Sequence, residues 1–141
     1  MKDSTFAELS SLFFTTRQII RSQLPGGHPD PNAWLRCETM HFIATAKNPT
    51  MQDVAAYLRV RAPSATSLIS NLAKSGFVSR QGEKGDRRVV RILLTKAGEK
   101  VLRDYAKTSA TTMRKVFSKL DTKEVEQLTA TLRRLREIHR T

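Results

Sequence analysis

Apolar residues recur at the helical period from the start of the chain. Phe6, Leu9, Leu12, Phe13, Ile19, Ile20 and Leu24 fall on or near one stripe, which predicts a helix over 4–24. Pro25-Gly26-Gly27 and a Pro29/Pro31 loop end it. A second helix is expected over 33–46, with Trp34, Leu35, Phe42 and Ile43 as its buried positions, and Asn48-Pro49 breaks it. Thr50, with Asp53 three residues on, reads as an N-cap close to a capping box. It opens a third helix over 51–58 that buries Val54, Ala55 and Leu58. A short link over 59–61 leads to a fourth helix over 63–75, stopped by Gly76. The period then drops to two. Short strands are expected over 77–80 and 89–94, with Val90, Ile92 and Leu94 alternating inward. Thr95 caps a long fifth helix to 119, and Asp121 with Glu124 at the capping-box position starts a sixth to 139.

A chain of 141 residues builds one domain with a real core, and not comfortably two. The order of elements predicts a mostly α fold with a small β-hairpin wing. It is a winged helix-turn-helix lobe over 33–95, framed by N- and C-terminal dimerisation helices over 4–24 and 96–139. No internal repeat or low-complexity linker interrupts it.

The fourth helix separates into two faces. Ala65, Leu68, Ile69 and Leu72 fall together and must face the core. Opposite lie Pro63, Ser67, Ser70 and Lys74, with Ser64, Thr66 and Asn71 on the flanks. That face is small, rich in hydroxyls and free of acids, whereas a solvent-facing helix normally carries Glu and Lys pairs. Ser and Thr are mediocre helix formers, so the face costs stability without a structural return. Seated in a DNA major groove it makes sense. Short side chains let the backbone approach closely, hydroxyls and Asn71 can meet base edges or phosphates, and the positive helix start favours phosphate.

Charge sharpens that expectation. Twenty-five Lys and Arg against thirteen Asp and Glu give +12, and a polyanionic partner is the usual reason for such an excess. Residues 1–50 hold five bases and four acids, residues 51–100 ten and four, residues 101–141 ten and five. The excess therefore begins with the helix-turn-helix, where Arg59 and Arg61 directly precede the polar face. The hairpin continues it. Arg80 ends the first strand, and the segment over 81–88 brings Lys84, Arg87 and Arg88 around one acid, Asp86. Gly82 and Gly85 are expected to let this tip bend freely, so that it reaches the neighbouring minor groove or its phosphates. Asp86 is expected to pair with a wing arginine and fix its guanidinium.

These residues resemble a known family. Asp86-Arg87-Arg88 followed by Ile92-Leu93-Leu94-Thr95-Lys96-Ala97-Gly98 is similar to the D-x-R…L-T-x-x-G signature of the MarR (multiple antibiotic resistance regulator) family. "SATSLISNLAKSGFVSR" resembles that family's recognition helix and its entry into the wing. The six-helix order and the length fit as well, so the resemblance covers nearly the whole chain. It implies a homodimeric cytoplasmic transcription regulator, often a repressor relieved by a small ligand. By the motif, Arg88 corresponds to the arginine that contacts DNA from the wing and Asp86 to its partner. Ser67 departs from the pattern, since many relatives carry arginine there. The resemblance also implies an effector pocket where helices one, two and five meet the DNA-binding lobe, near Phe13, Trp34, Cys37, His41 and Tyr105.

Association follows from the sequence as well. Val125, Leu128, Leu132, Leu135 and Ile138 make a stripe on the sixth helix, and the first helix has its own. A winged helix cannot cover both, and a second copy can. Two recognition helices would then meet successive major grooves, about 34–36 Å apart, on a pseudo-palindromic site. The alternative is a non-specific or architectural DNA-binding protein, which +12 alone would satisfy. An enzyme is not expected, because no paired carboxylates, Ser/His/Asp set or phosphate-cradling glycine loop is present. Neither a cofactor nor a metal is expected. Cys37 and His41 stand at i, i+4, with His28, Asp30 and Glu38 nearby, but no second His/Cys pair exists. No apolar run is long enough to span a bilayer, the first eleven residues lack a secretory pattern, and a single cysteine suits a reducing cytoplasm.

Overall fold

The structure, a computed structural model, describes residues 2–25 and 32–140. The chain runs α1 (Asp3–Ser22), α2 (Ala33–Thr45), α3 (Met51–Leu58), α4 (Ala62–Lys74), β1 (Val78–Glu83), β2 (Asp86–Leu94), α5 (Lys96–Val116) and α6 (Thr122–Ile138). The predicted loop over 26–31, with His28 and Asp30, lies outside the described residues. Two compact units divide the chain. One holds the termini with α1 and α6, and the other spans Pro29–Lys107, with the boundary inside α5.

Local chemistry starts and stops these elements where the side chains dictate. At α3 the capping box is complete: Asp53 N–H donates to Thr50 Oγ1 at 3.1 Å, and Thr50 N–H donates to Asp53 Oδ2 at 2.9 Å. Asp121 and Glu124 repeat it at α6, with both bonds at 2.9 Å. Each box satisfies two backbone donors that a helix start otherwise leaves open. α4 carries proline in its first turn, and Gly76 takes φ +78° just past its end.

The core of the central unit gathers one or more residues from each of α2, α3, α4, β1 and β2. Cys37, Met40 and Ile43 come from α2, Val54 from α3, Ile69 and Leu72 from α4, Val78 from β1 and Ile92 from β2. Ala65 is buried on the same side of α4, while Leu68 is half-buried against the core. Trp34, expected inside, is instead 62% exposed. The inward positions of α2 are spaced by three, which drifts back by about 60° per step, so Trp34 lies about half a turn around from Ile43. α5 ends at Val116, three residues before the expected 119.

The hairpin is longer than the alternation suggested. β1 and β2 pair antiparallel from Val78↔Leu94 through Arg80↔Ile92 and Gly82↔Val90 to Glu83↔Asp86. Only Lys84 and Gly85 turn the chain, with Gly85 at φ +96°. Between the last two pairs β1 advances one residue and β2 four, so Arg87, Arg88 and Val89 form a bulge. The freely bending tip is thus corrected to a paired strand with a bulge that throws its arginines outward.

Candidate nucleic-acid interface

α4 and the hairpin belong to the same unit, and several contacts lock them together. Thr95 Oγ1 donates to the Gly76 carbonyl at 2.6 Å, and Thr95 N–H donates to the Phe77 carbonyl at 3.0 Å. The same hydroxyl accepts from Gly98 N–H at 3.0 Å, which caps the first turn of α5. A Cβ at buried Gly98 would collide with the Phe77 carbonyl and stand 2.9 Å from Leu94 Cδ1. The Leu-Thr-x-x-Gly motif is therefore a clasp joining the end of α4, the base of the wing and the start of α5. From α2, Arg36 Nη2 donates to Ser75 Oγ at 3.2 Å, and its guanidinium carbon lies 5.8 Å from the centre of the Phe77 ring. On the other side Ile92 N–H donates to the Pro49 carbonyl at 2.8 Å, and Thr50 bridges Arg91.

Most of the residues predicted to meet DNA are exposed on this unit. Pro63, Ser64, Ser67, Asn71 and Lys74 are exposed on α4, and Ser70 is half-buried. Thr66 is exposed too, with its hydroxyl donating to the Ala62 carbonyl at 2.9 Å, which leaves the oxygen to accept. Arg59 and Arg61 are exposed in the turn before α4, where Arg59 takes the left-handed conformation at φ 54° as the C-cap of α3. Arg80 leaves β1 exposed, and its Nη2 donates to Ser70 Oγ at 2.7 Å. Lys84 stands in the turn and Arg87 on the bulge, both exposed.

Asp86 takes hold of Arg88. The Arg88 N–H and Nε donate to Asp86 Oδ1 at 3.0 and 3.2 Å, and Nη2 reaches Oδ2 at 3.5 Å. The Arg88 side-chain bond, then its backbone bond, hold the carboxyl below the usual Asp value. With the Arg88 side chain 92% exposed, such a pair adds little to stability. Its effect is on direction, since it fixes one edge of the guanidinium and leaves the rest to solvent. Arg91, absent from the predicted set, is tied down by Glu83 Oε1 at 3.2 Å and the Asn48 carbonyl at 3.5 Å. Nothing in a linear reading separates Arg91 from its basic neighbours. Only register and the fold of 48–50 do.

The predicted effector residues are divided between the two units. Cys37 is buried, and Tyr105 packs half-buried against the same core. Burial pushes the Cys37 thiol up, against a smaller lowering by Arg36, which is the reverse of a reactive thiolate. Burial likewise pushes Tyr105 up, with Cys37 and Glu38 adding to it. His41 and Trp34 are exposed, and Phe13 belongs to α1 of the other unit, 56% exposed. Glu38 accepts from the Tyr57 hydroxyl at 3.3 Å, and the Tyr57 ring stacks on Phe42 at 4.1 Å. Among the described residues, no group of three His, Cys, Asp or Glu is placed to hold a metal, and no helix is long and apolar enough to cross a membrane.

Comparison with known proteins agrees with this geometry. Residues 35–89, from α2 to the wing bulge, match the family model described as the MarR family. A MarR family protein from Bacillus stearothermophilus superposes with a TM-score of 0.77 at 20% identity, covering 100% of this chain and 99% of that one. FabT of Streptococcus pneumoniae, solved in complex with DNA, gives 0.70 at 23% identity over 96% and 94% of the two chains. BpsR of Bordetella bronchiseptica, whose DNA binding is regulated by 6-hydroxynicotinic acid, gives 0.69 at 14% over 94% and 98%. The family model thus matches the helix-turn-helix and wing over residues 35–89, and along its whole length the chain has the fold of these MarR family structures.

Proposed function

We propose that this protein is a homodimeric, sequence-specific regulator of transcription, with α4 in the major groove and the wing on the adjacent backbone or minor groove. The observation that carries the reading is the acid-free outward face of α4 beside a wing whose Arg88 is already aimed by Asp86. Groove-reading needs short polar side chains on the helix and directed cations at its flank, and both stand on one compact unit here. FabT in complex with DNA supports the assignment.

The dimer rests on the other unit. Neither α1 nor α6 contains a buried residue. Phe6, Leu9, Leu12, Phe13, Phe14 and Ile19 stay exposed on α1, as do Leu128, Leu132, Leu135 and Ile138 on α6. Apolar surface of that extent is covered in stable proteins, and a second copy covers it with two-fold symmetry. A two-fold protein reads a pseudo-palindrome. Repression, and its relief by a small effector as in the regulated DNA binding of BpsR, complete the proposal.

Selection of bound sequences from a random duplex library tests it. A two-fold symmetric consensus is expected, bound roughly 10³-fold or more above scrambled DNA at about 150 mM salt. Equal affinity for all duplexes would make the protein a non-specific binder and end the proposal.

A further inference from the structure

α4 carries no arginine, and its one cation, Lys74, is its last residue. The guanidinium attached to its outward face comes from the wing. Residues directly opposite in an antiparallel pair point to the same side of the sheet. Arg80 is opposite Ile92, which is fully buried, and two residues beyond Val78, which is also buried. The pleat therefore directs Arg80 to the side of the hairpin that packs on α4. From there Nη2 donates to Ser70 Oγ at 2.7 Å. Ser70 lies one turn from Ser67 and next to Asn71, so the guanidinium rests on the face assigned to the groove.

Arg80 differs in kind from the other anchored arginines of the wing. Arg88 is paired with Asp86 and Arg91 with Glu83, whereas no carboxylate comes within ion-pair distance of Arg80 among the described residues. A neutral hydroxyl holds it, which sets its direction without cancelling its charge. One of five N–H donors is used on Ser70, and the rest of the planar fork remains. That fork matches the O6 and N7 acceptors that guanine shows in the major groove.

We propose that Arg80, anchored by Ser70, is a base-reading arginine of this interface and selects a guanine in each half of a two-fold site. The proposal rests on α4 being the groove helix. Library selection with the unaltered protein is run first, and absence of any consensus there overturns the groove reading itself, before a variant is made. Given a consensus, Arg80→Ala is expected to lose the guanine preference at one symmetric pair of positions. Its affinity for the original consensus should fall roughly 10- to 100-fold, with little change on duplexes already altered at that pair. Arg80→Lys keeps charge and stem but not the fork, and it should lose the same preference, which decides the matter if the alanine variant folds poorly. Ser70→Ala should blunt the preference while leaving the salt dependence unchanged. A uniform loss on all duplexes, with the salt slope reduced by about one, would mark a phosphate contact and overturn the proposal. An unchanged consensus in Arg80→Lys would overturn it too.

Discussion

Gly98 shows how much one missing side chain can hold. Its Cα packs so closely on the Phe77 carbonyl that the clash of an added methyl would fall on backbone, not on a side chain able to move. Gly98→Ala is expected to destabilise the protein by about 2–3 kcal/mol, read from the urea midpoint, as α5 is pushed off the base of the wing. Cys37 makes the opposite case, a chemically capable group that burial silences. With its thiol pushed up and its side chain in the core, it should react with a disulfide reagent at neutral pH only as fast as the protein opens. Prompt reaction in the folded state would refute this. The glycine was visible in the sequence as part of a motif. The exposure of Trp34 was not, because the drift of α2 around its axis decides which of Trp34, Cys37 and Ile43 turns inward.

Capping boxes belong to the scale of the element, and both were legible because they need only residues three apart. Thr50's backbone N–H, then its hydroxyl, hold Asp53 below the usual Asp value. A depressed carboxyl stabilises the fold above its unfolded pKa and loses that contribution as pH falls through the folded one. Asp53→Asn should therefore melt below the parent at pH 6, and the gap should shrink on acidification below the ordinary Asp range. A gap independent of pH would mean the charge plays no part. The wing is the hairpin that the alternation predicts, but its strands stay paired out to Glu83 and Asp86. Glycines at 82 and 85 suggested freedom, but cross-strand pairing claims Gly82, and the bulge at 87–89 concentrates the irregularity in three residues. Arg88→Ala should weaken operator binding at least 10-fold and lower the salt slope by about one. Ser67→Glu should remove measurable binding by setting a carboxylate against phosphate. Full affinity in either variant would move the interface elsewhere.

For the whole molecule, the stripes on α1 and α6 matter most. If a second copy covers them, Leu132→Glu should yield a monomer by light scattering, with operator affinity lost and the central core still folded. The melting temperature of the parent should rise with protein concentration. A monomeric parent would sink the two-fold operator along with the dimer.

Alone, the sequence determined the kinds of element and their order, the caps, the polarity of α4 and the clustering of positive charge. Each of these is written in residues within about one or two turns of each other, where backbone geometry and side-chain spacing leave few choices. Tertiary structure decided which arginine is held by what. Arg88 goes to Asp86, Arg91 to Glu83 and Arg80 to Ser70, and the last of these partners is ten residues away across the helix–wing junction. Those assignments depend on strand register and on how the hairpin seats against α4. Both are set by burial of Val78 and Ile92, a property of the assembled core that no single stretch of sequence contains.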